Sequence, residues 1–416
     1  MKQLDESFRA VSALLILPAL FFAGIAATLE AAELVVPRLE LATFGAVGED
    51  GGFALSSVAA AEIALQGGYK YGGLLKLDFT SAELEKALGY SRTDVAPISA
   101  DPTAADYNTL VDRVNNQSAL GFKLAQVTAR RPFDWPVELS YFIGTADTIC
   151  SGDDFADRFG TVPVGTSFKG FAYFPEGIGG NPAYQYDGLY TVSGSGLSLS
   201  VDAGDFLAPM LYLYQDAAFI DQATGIPAVG RYSGDLRLLL NTENVKIEAF
   251  AGATLPYGSL GMYRGGALAF FTTGTGADFL AQVGVPAWSA DADFSIDDLF
   301  FLFEPQLDFG PLAINITLFY HPVWYLQQEN PDEQGATDVN VKLLVGDVMR
   351  NRLEGGLEST ISLRASGETG FSLTVAPFVS VVTEGVRWDF KVRADPLAYT
   401  TPLEMFESYI GVRTAY

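Results

Sequence analysis

Over most of this chain apolar and polar residues alternate one by one, and no other feature restricts its fold as severely. Val386, Trp388, Phe390 and Val392 alternate with Arg387, Asp389, Lys391 and Arg393, so that every second residue is charged. Ile314, Ile316, Leu318 and Tyr320 alternate with Asn315, Thr317, Phe319 and His321. Val245, Ile247, Ala249 and Ala251 oppose Lys246, Glu248 and Gly252, while Leu357, Ile361 and Leu363 oppose Glu358, Thr360, Ser362 and Arg364. A period of two is the signature of a β-strand, whose successive side chains point to opposite faces. One face of each strand therefore suits hydrocarbon and the other suits water.

The N-terminus follows a different rule. Lys2 and Arg9 bracket a short polar start, and Ala10 to Leu29 then runs without a charge before the small residues Ala31 and Ala32. That is the pattern of a secretory leader, so residues 1–32 are expected to be a signal peptide and the mature chain to be exported. No second apolar stretch qualifies as a spanning helix. The best candidate, Phe309 to Gln328, is cut by Pro311 and Pro322, whereas a span needs about 20 mostly apolar residues.

Strand patterns recur near residues 35–46, 53–66, 69–80, 118–130, 136–146, 188–202, 206–216, 230–241 and 243–254. They continue near 260–272, 277–286, 297–309, 311–321, 338–346, 354–365, 369–382, 384–395 and 403–416. Very short turns, such as Gly67-Gly68, Gly310-Pro311 and Glu384-Gly385, alternate with longer links at 81–117, 147–187, 217–229, 287–296 and 322–337. A membrane barrel with tight turns at one rim and long loops at the other produces this alternation. Lipid offers no hydrogen-bond partners, so a chain without spanning helices crosses only as a closed sheet. The expected fold is all-β: a transmembrane up-and-down antiparallel barrel over 33–416 with about 14–18 strands. Its long outer loops are expected at 81–117 and 147–187. At the upper end of that strand range the interior holds water.

The closing residues strengthen this reading. Phe406, Ser408, Ile410, Val412, Thr414 and Tyr416 alternate with Glu407, Tyr409, Gly411, Arg413 and Ala415. The segment resembles the last strand of bacterial outer-membrane β-barrel proteins of the porin-like kind. That resemblance implies residence in the bacterial outer membrane, contact with its lipid, and recognition of the strand ending at Tyr416 by the assembly machinery. Many general porins are trimers, so it also allows a homo-oligomer. Cys150-Ser151-Gly152-Asp153-Asp154-Phe155, taken with Tyr186-Asp187-Gly188-Leu189-Tyr190, is similar to segments of spirochaete outer-membrane proteins.

Composition removes several other functions. The 416 residues carry 25 Lys and Arg against 50 Asp and Glu, a net charge of −25 that speaks against nucleic acid as a partner. One Cys excludes a disulfide framework and any Cys-rich metal site. His321, the one histidine, has no visible nucleophile partner and no G-x-S-x-G accompanies it, so no catalytic residue is assigned. Asp291, Asp293, Asp297 and Asp298 lack the Gly and distal Glu of an EF-hand loop, so no metal site is assigned and no cofactor is expected.

Strand parity places Lys246, Glu248, Lys342, Arg364, Arg387, Asp389, Lys391 and Arg393 on the inward face as candidate pore-lining residues. Cations and carboxylates mix there, which leaves ion selectivity open. Helical spacing recurs within 81–117, at Ala82 to Leu88 and at Tyr107, Leu110, Val111 and Val114. The loops at 81–117 and 147–187 would either fold into the pore and narrow it or pack on the rim as a cap. The expected function is passive diffusion of small hydrophilic solutes. Two alternatives are a substrate-selective transporter of hydrophobic or nutrient molecules and a structural or adhesive surface barrel.

Overall fold

The computed structural model describes residues 33–47, 53–81, 118–162, 164–167, 188–217, 220–221, 226–227, 230–321, 336–347, 352–364, 370–400 and 405–414. The leader at 1–32, the helical patterns within 82–117 and Tyr416 lie outside the described residues.

The first wall strands are β1 (Glu33–Val47), β2 (Phe53–Gly67), β3 (Tyr71–Ser81), β4 (Ser118–Arg130), β5 (Val137–Ile149), β6 (Tyr190–Val201) and β7 (Leu207–Asp216). A two-residue hairpin, β8 (Ile220–Asp221) and β9 (Ile226–Pro227), then sits in a loop where no strand was expected. The wall resumes with β10 (Tyr232–Asn241), β11 (Val245–Leu255), β12 (Met262–Thr272), β13 (Ala277–Ser289), β14 (Phe300–Asp308) and β15 (Leu312–His321). It closes with β16 (Ala336–Asp347), β17 (Leu353–Arg364), β18 (Phe371–Thr383), β19 (Val386–Ala394) and β20 (Phe406–Thr414).

Each wall strand pairs antiparallel with the next, β7 passes directly to β10, and β20 returns to β1 through Leu39↔Thr414 to Gly45↔Ser408. The sheet thus closes as eighteen strands and leaves no edge, which satisfies the backbone of every wall strand without lipid. Connections at one rim run from two to six residues, and those at the other from five to forty. All eighteen expected strands appear, and no end moves by more than three residues. β5 runs on to Ile149 because Ala146 is an extra residue that the β6 register skips. β14 begins at Phe300 because Ser295 caps a tight turn over Ile296–Asp298.

The alternation reads directly as outside and inside. On β10, Leu236 is 58% exposed while its neighbour Arg237 is fully buried. Every wall strand exposes at least one large apolar side chain, from Leu39 and Leu41 on β1 to Phe406 and Ile410 on β20. In water each would forgo roughly 1.5–3 kcal/mol of burial, so this belt is built for hydrocarbon. Tyr71, Phe271 and Trp388 mark its short-turn rim and Tyr232, Tyr263 and Phe406 the opposite one, as an aromatic girdle requires.

Candidate functional site

The lumen has two unlike halves, and the loop after β5 divides them. Its described part, 150–162 and 164–167, turns inward and includes a short helix, α1 (Asp154–Phe159), ended by Gly160 in the left-handed region. Phe155, Val164 and Leu189 join the inward side chains of β5–β7 and β10–β15, among them Phe142, Tyr212, Leu239, Leu280, Phe300 and Phe319, in one dry cluster. The inward-folding alternative for this loop therefore describes these residues. The extra strand expected at 168–174 lies outside the described residues.

Three anchors hold the loop. The first is electrostatic. Arg237 on β10 donates from Nε to Glu248 Oε1 on β11 at 2.7 Å and from Nη1 to Asp147 Oδ2 on β5 at 2.6 Å, and it pairs with Asp154 on α1. Cys150 N donates to the same Glu248 oxygen at 2.6 Å, and Gln282 Nε2 on β13 donates to Cys150 O at 3.0 Å. The Tyr212 hydroxyl adds a donor to Asp147. Three carboxylates around one guanidinium satisfy a charge that would otherwise cost several kcal/mol to bury.

The second anchor is Glu304 on β14, fully buried and held by donors alone. Ser167 N reaches Oε1 at 2.9 Å, Gln306 Nε2 reaches it at 2.6 Å, Thr317 Oγ1 reaches Oε2 at 2.6 Å, and the Thr166 hydroxyl joins them. The third is a seat of glycines. Gly266 on β12 and Gly284 on β13 face each other across the ladder, and a Cβ at Gly284 would stand 2.8 Å from the Leu189 side chain. Absent side chains at these two positions admit Leu189 to the wall.

The opposite half, β16–β20 with β1–β4, carries paired charges, and in several of them water reaches the cation. Lys391 Nζ lies 2.7 Å from Glu358 Oε2, whose other oxygen accepts from Asn340 at 2.9 Å, and Lys342 is the cross-strand partner of Glu358. Arg387 and Arg413 hold the two oxygens of Asp389 at 2.8 and 3.0 Å. Arg38 pairs with Glu40 at 2.5 Å, and Lys76 and Lys123 share Glu62 at 3.3 and 2.6 Å. In most of these pairs the cation is nearer the water. Arg38 is 40% exposed over Glu40 at 7%, and Arg387 is 31% exposed over Asp389 at 10%. Glu407, which is more exposed than its partner Arg393, runs the other way.

The sequence-derived residues separate accordingly. Lys342, Arg387, Asp389, Lys391 and Arg393 come together on the wet wall of β16–β20. Glu248 faces inward but is sealed beneath the loop, and Lys246 stands near the short-turn end of the same strand, 5.8 Å from the centre of the Phe270 ring. Arg364 ends β17, and its side chain lies outside the described residues, as does that of His321. Glu358, Arg413 and the Arg38–Glu40 pair were not assigned, although strand parity carries them. Nothing in the sequence signals that Arg237 and Glu304 receive a loop more than a hundred residues away in the case of Glu304. Among the described residues, no group of three or more His, Cys, Asp or Glu could hold a metal ion.

No family model matches the chain, and no curated protein sequence matches it. Solved structures do. OccAB4 of Acinetobacter baumannii aligns over 93% of this chain and 98% of its own, with 11% identity and a TM-score of 0.52. OccAB3 of the same organism aligns over 92% and 98%, with 11% identity and a TM-score of 0.50. A mutant of the Rhodopseudomonas blastica porin aligns over 92% and 100%, with 11% identity and a TM-score of 0.42. At such identity the likeness to the two OccAB proteins is one of fold, a closed antiparallel β-barrel.

Proposed function

We propose that the protein is a passive channel of the bacterial outer membrane for small hydrophilic solutes, rather than an enzyme. The supporting observation is the division of the lumen. Beneath the loop the inward charges Arg237, Glu248 and Glu304 are fully buried, whereas on β16–β20 and β1–β4 the inward cations Arg38, Lys76, Lys123, Arg387 and Arg413 keep part of their side chains in water above largely buried carboxylates. Water and solute pass along the second wall, while the loop narrows the barrel from the first.

The exposure of Arg38, Lys76, Arg387 and Arg413 over their carboxylates, and of Lys123 over Glu62, gives that path a donor-rich surface. Rings or rows of cations favour anions in a pore, so the channel prefers anionic solutes although the chain as a whole is acidic. The assembly machinery is proposed to read the C-terminal strand. Purified protein in planar bilayers tests the reading: stepwise conductance supports it and a barrel that passes no current overturns it. A salt gradient across the same bilayer reports the preference through the sign of the reversal potential.

A further inference from the structure

The seat of the loop contains more carboxylates than cations, and one of the carboxylates belongs to the loop itself. Asp154 on α1 is faced by Asp147 from β5, Tyr212 from β7, Arg237 from β10 and Glu248 from β11. On its own helix Arg158 lies near, exposed and turned to donate to Ser200 Oγ on β6 at 2.7 Å, while Asp153 and Asp157 are exposed to water. With every group ionised, Asp147, Asp154 and Glu248 share one buried guanidinium.

We propose that Asp154 and Arg237 form a proton-operated latch on the loop, closed while the cluster holds a proton and loosened when alkaline pH removes it. The proposal rests on the channel reading above and supplies its regulation. An excess negative charge in a mostly dry site is costly, and Arg158, exposed and turned to Ser200, offsets it only from a distance. Undocking moves Asp154, the loop's own member, into water and relieves that cost. Burial, with Asp147 beside it, pushes the Asp154 carboxyl up to about 7 from an ordinary 3.8. The docked state therefore binds the proton more tightly than the undocked one. Its advantage is complete below the ordinary value and is lost as pH rises through the raised one.

The test is single-channel recording of the full-length protein between pH 5 and pH 9, with Asp154→Asn and Glu248→Gln alongside. Wild-type conductance or its open-state fluctuation is expected to rise severalfold with a midpoint near 7. Asp154→Asn, fixed in the neutral form, is expected to hold the acid value throughout, and Glu248→Gln to flatten the response by removing the excess charge. Heat-modifiable migration in SDS gels establishes that each variant is folded. A wild-type response that is flat, or variants that keep the wild-type pH dependence, overturn the latch. Absence of current steps at every pH in all three proteins instead overturns the channel reading on which it rests.

Discussion

The two halves of the lumen are built from strands with the same alternation, yet they differ in what their inward charges do. Beneath the loop, Arg237, Glu248 and Glu304 are fully buried and each is held by several hydrogen bonds or ion pairs. Across the barrel, Arg387, Arg413 and Lys123 keep part of their surface in water while pairing with Asp389 and Glu62. A buried charge that loses its partner costs several kcal/mol, whereas a solvated pair is worth under about 1 kcal/mol. The dry half therefore converts charge into rigidity and the wet half converts it into a solute-facing surface.

The largest effect should come from removing the cation on the dry side. Arg237→Met leaves Asp147, Asp154 and Glu248 without their shared partner, a change of the kind that costs about 3–5 kcal/mol. The cost falls on the docked loop, since the wall ladder is untouched. Protease cleavage within 150–167 should become fast in a barrel that remains heat-modifiable. A loop that stays resistant would mean the two halves are less different than the geometry implies.

Gly284→Val tests the same side without touching a charge. A Cβ there would stand 2.8 Å from Leu189 and also 2.7 Å from Gly265 O and 2.9 Å from Gly266 Cα on β12. Both the seat of Leu189 and the local ladder must therefore shift, and overpacking of this sort costs about 1–3 kcal/mol. The expected result is a loosened loop and noisier current, with the proposed anion preference intact. Conductance traces indistinguishable from wild type would show that the glycine seat is not an anchor.

Much of this comparison was present in the sequence. Strand parity alone puts Arg387, Asp389 and Lys391 on one face and Trp388 and Phe390 on the other, because a period of two is a local property. Turn chemistry such as Gly310-Pro311 located the rim in the same way. The dry half was not legible. Strand parity turns both Glu248 and Lys342 inward, and only a loop contributed by residues 150–167 seals one and leaves the other on the opposite wall. Such contacts, Cys150 to Glu248 or Thr166 to Glu304, leave no periodicity in the chain. The glycines at 266 and 284 look like any strand glycine until Leu189 is seated on them.

On the wet side the expected change is in selectivity rather than stability. Arg387→Gln removes an exposed cation from Asp389, which keeps Arg413 and Ser380 Oγ at 3.0 and 2.5 Å. Stability should shift by under about 1 kcal/mol, while the reversal potential in a salt gradient moves toward cations. A large loss of thermal stability with unchanged selectivity would reverse the roles given to the two walls.

The smallest effect lies at the outer rim and has the opposite pH sign to the latch. Asp291, in the link between β13 and β14, accepts from Ser259 N at 2.6 Å and from the Ser259 hydroxyl, in the link between β11 and β12. These hydrogen bonds favour the charged form and hold the Asp291 carboxyl below its usual value. A lowered carboxyl stabilises the contact fully above the ordinary carboxylate value and loses it as pH falls through the lowered one. Acid below that range should therefore free the two links from each other, while the same acid keeps the Asp154 latch closed. Amide exchange at Ser259 resolves the two: its protection should fall only in strong acid and vanish in Asp291→Ala at every pH. If instead Ser259 protection followed the pH 5–9 response of the conductance, rim and latch would be one titrating unit, and the separation of the two sites would fail.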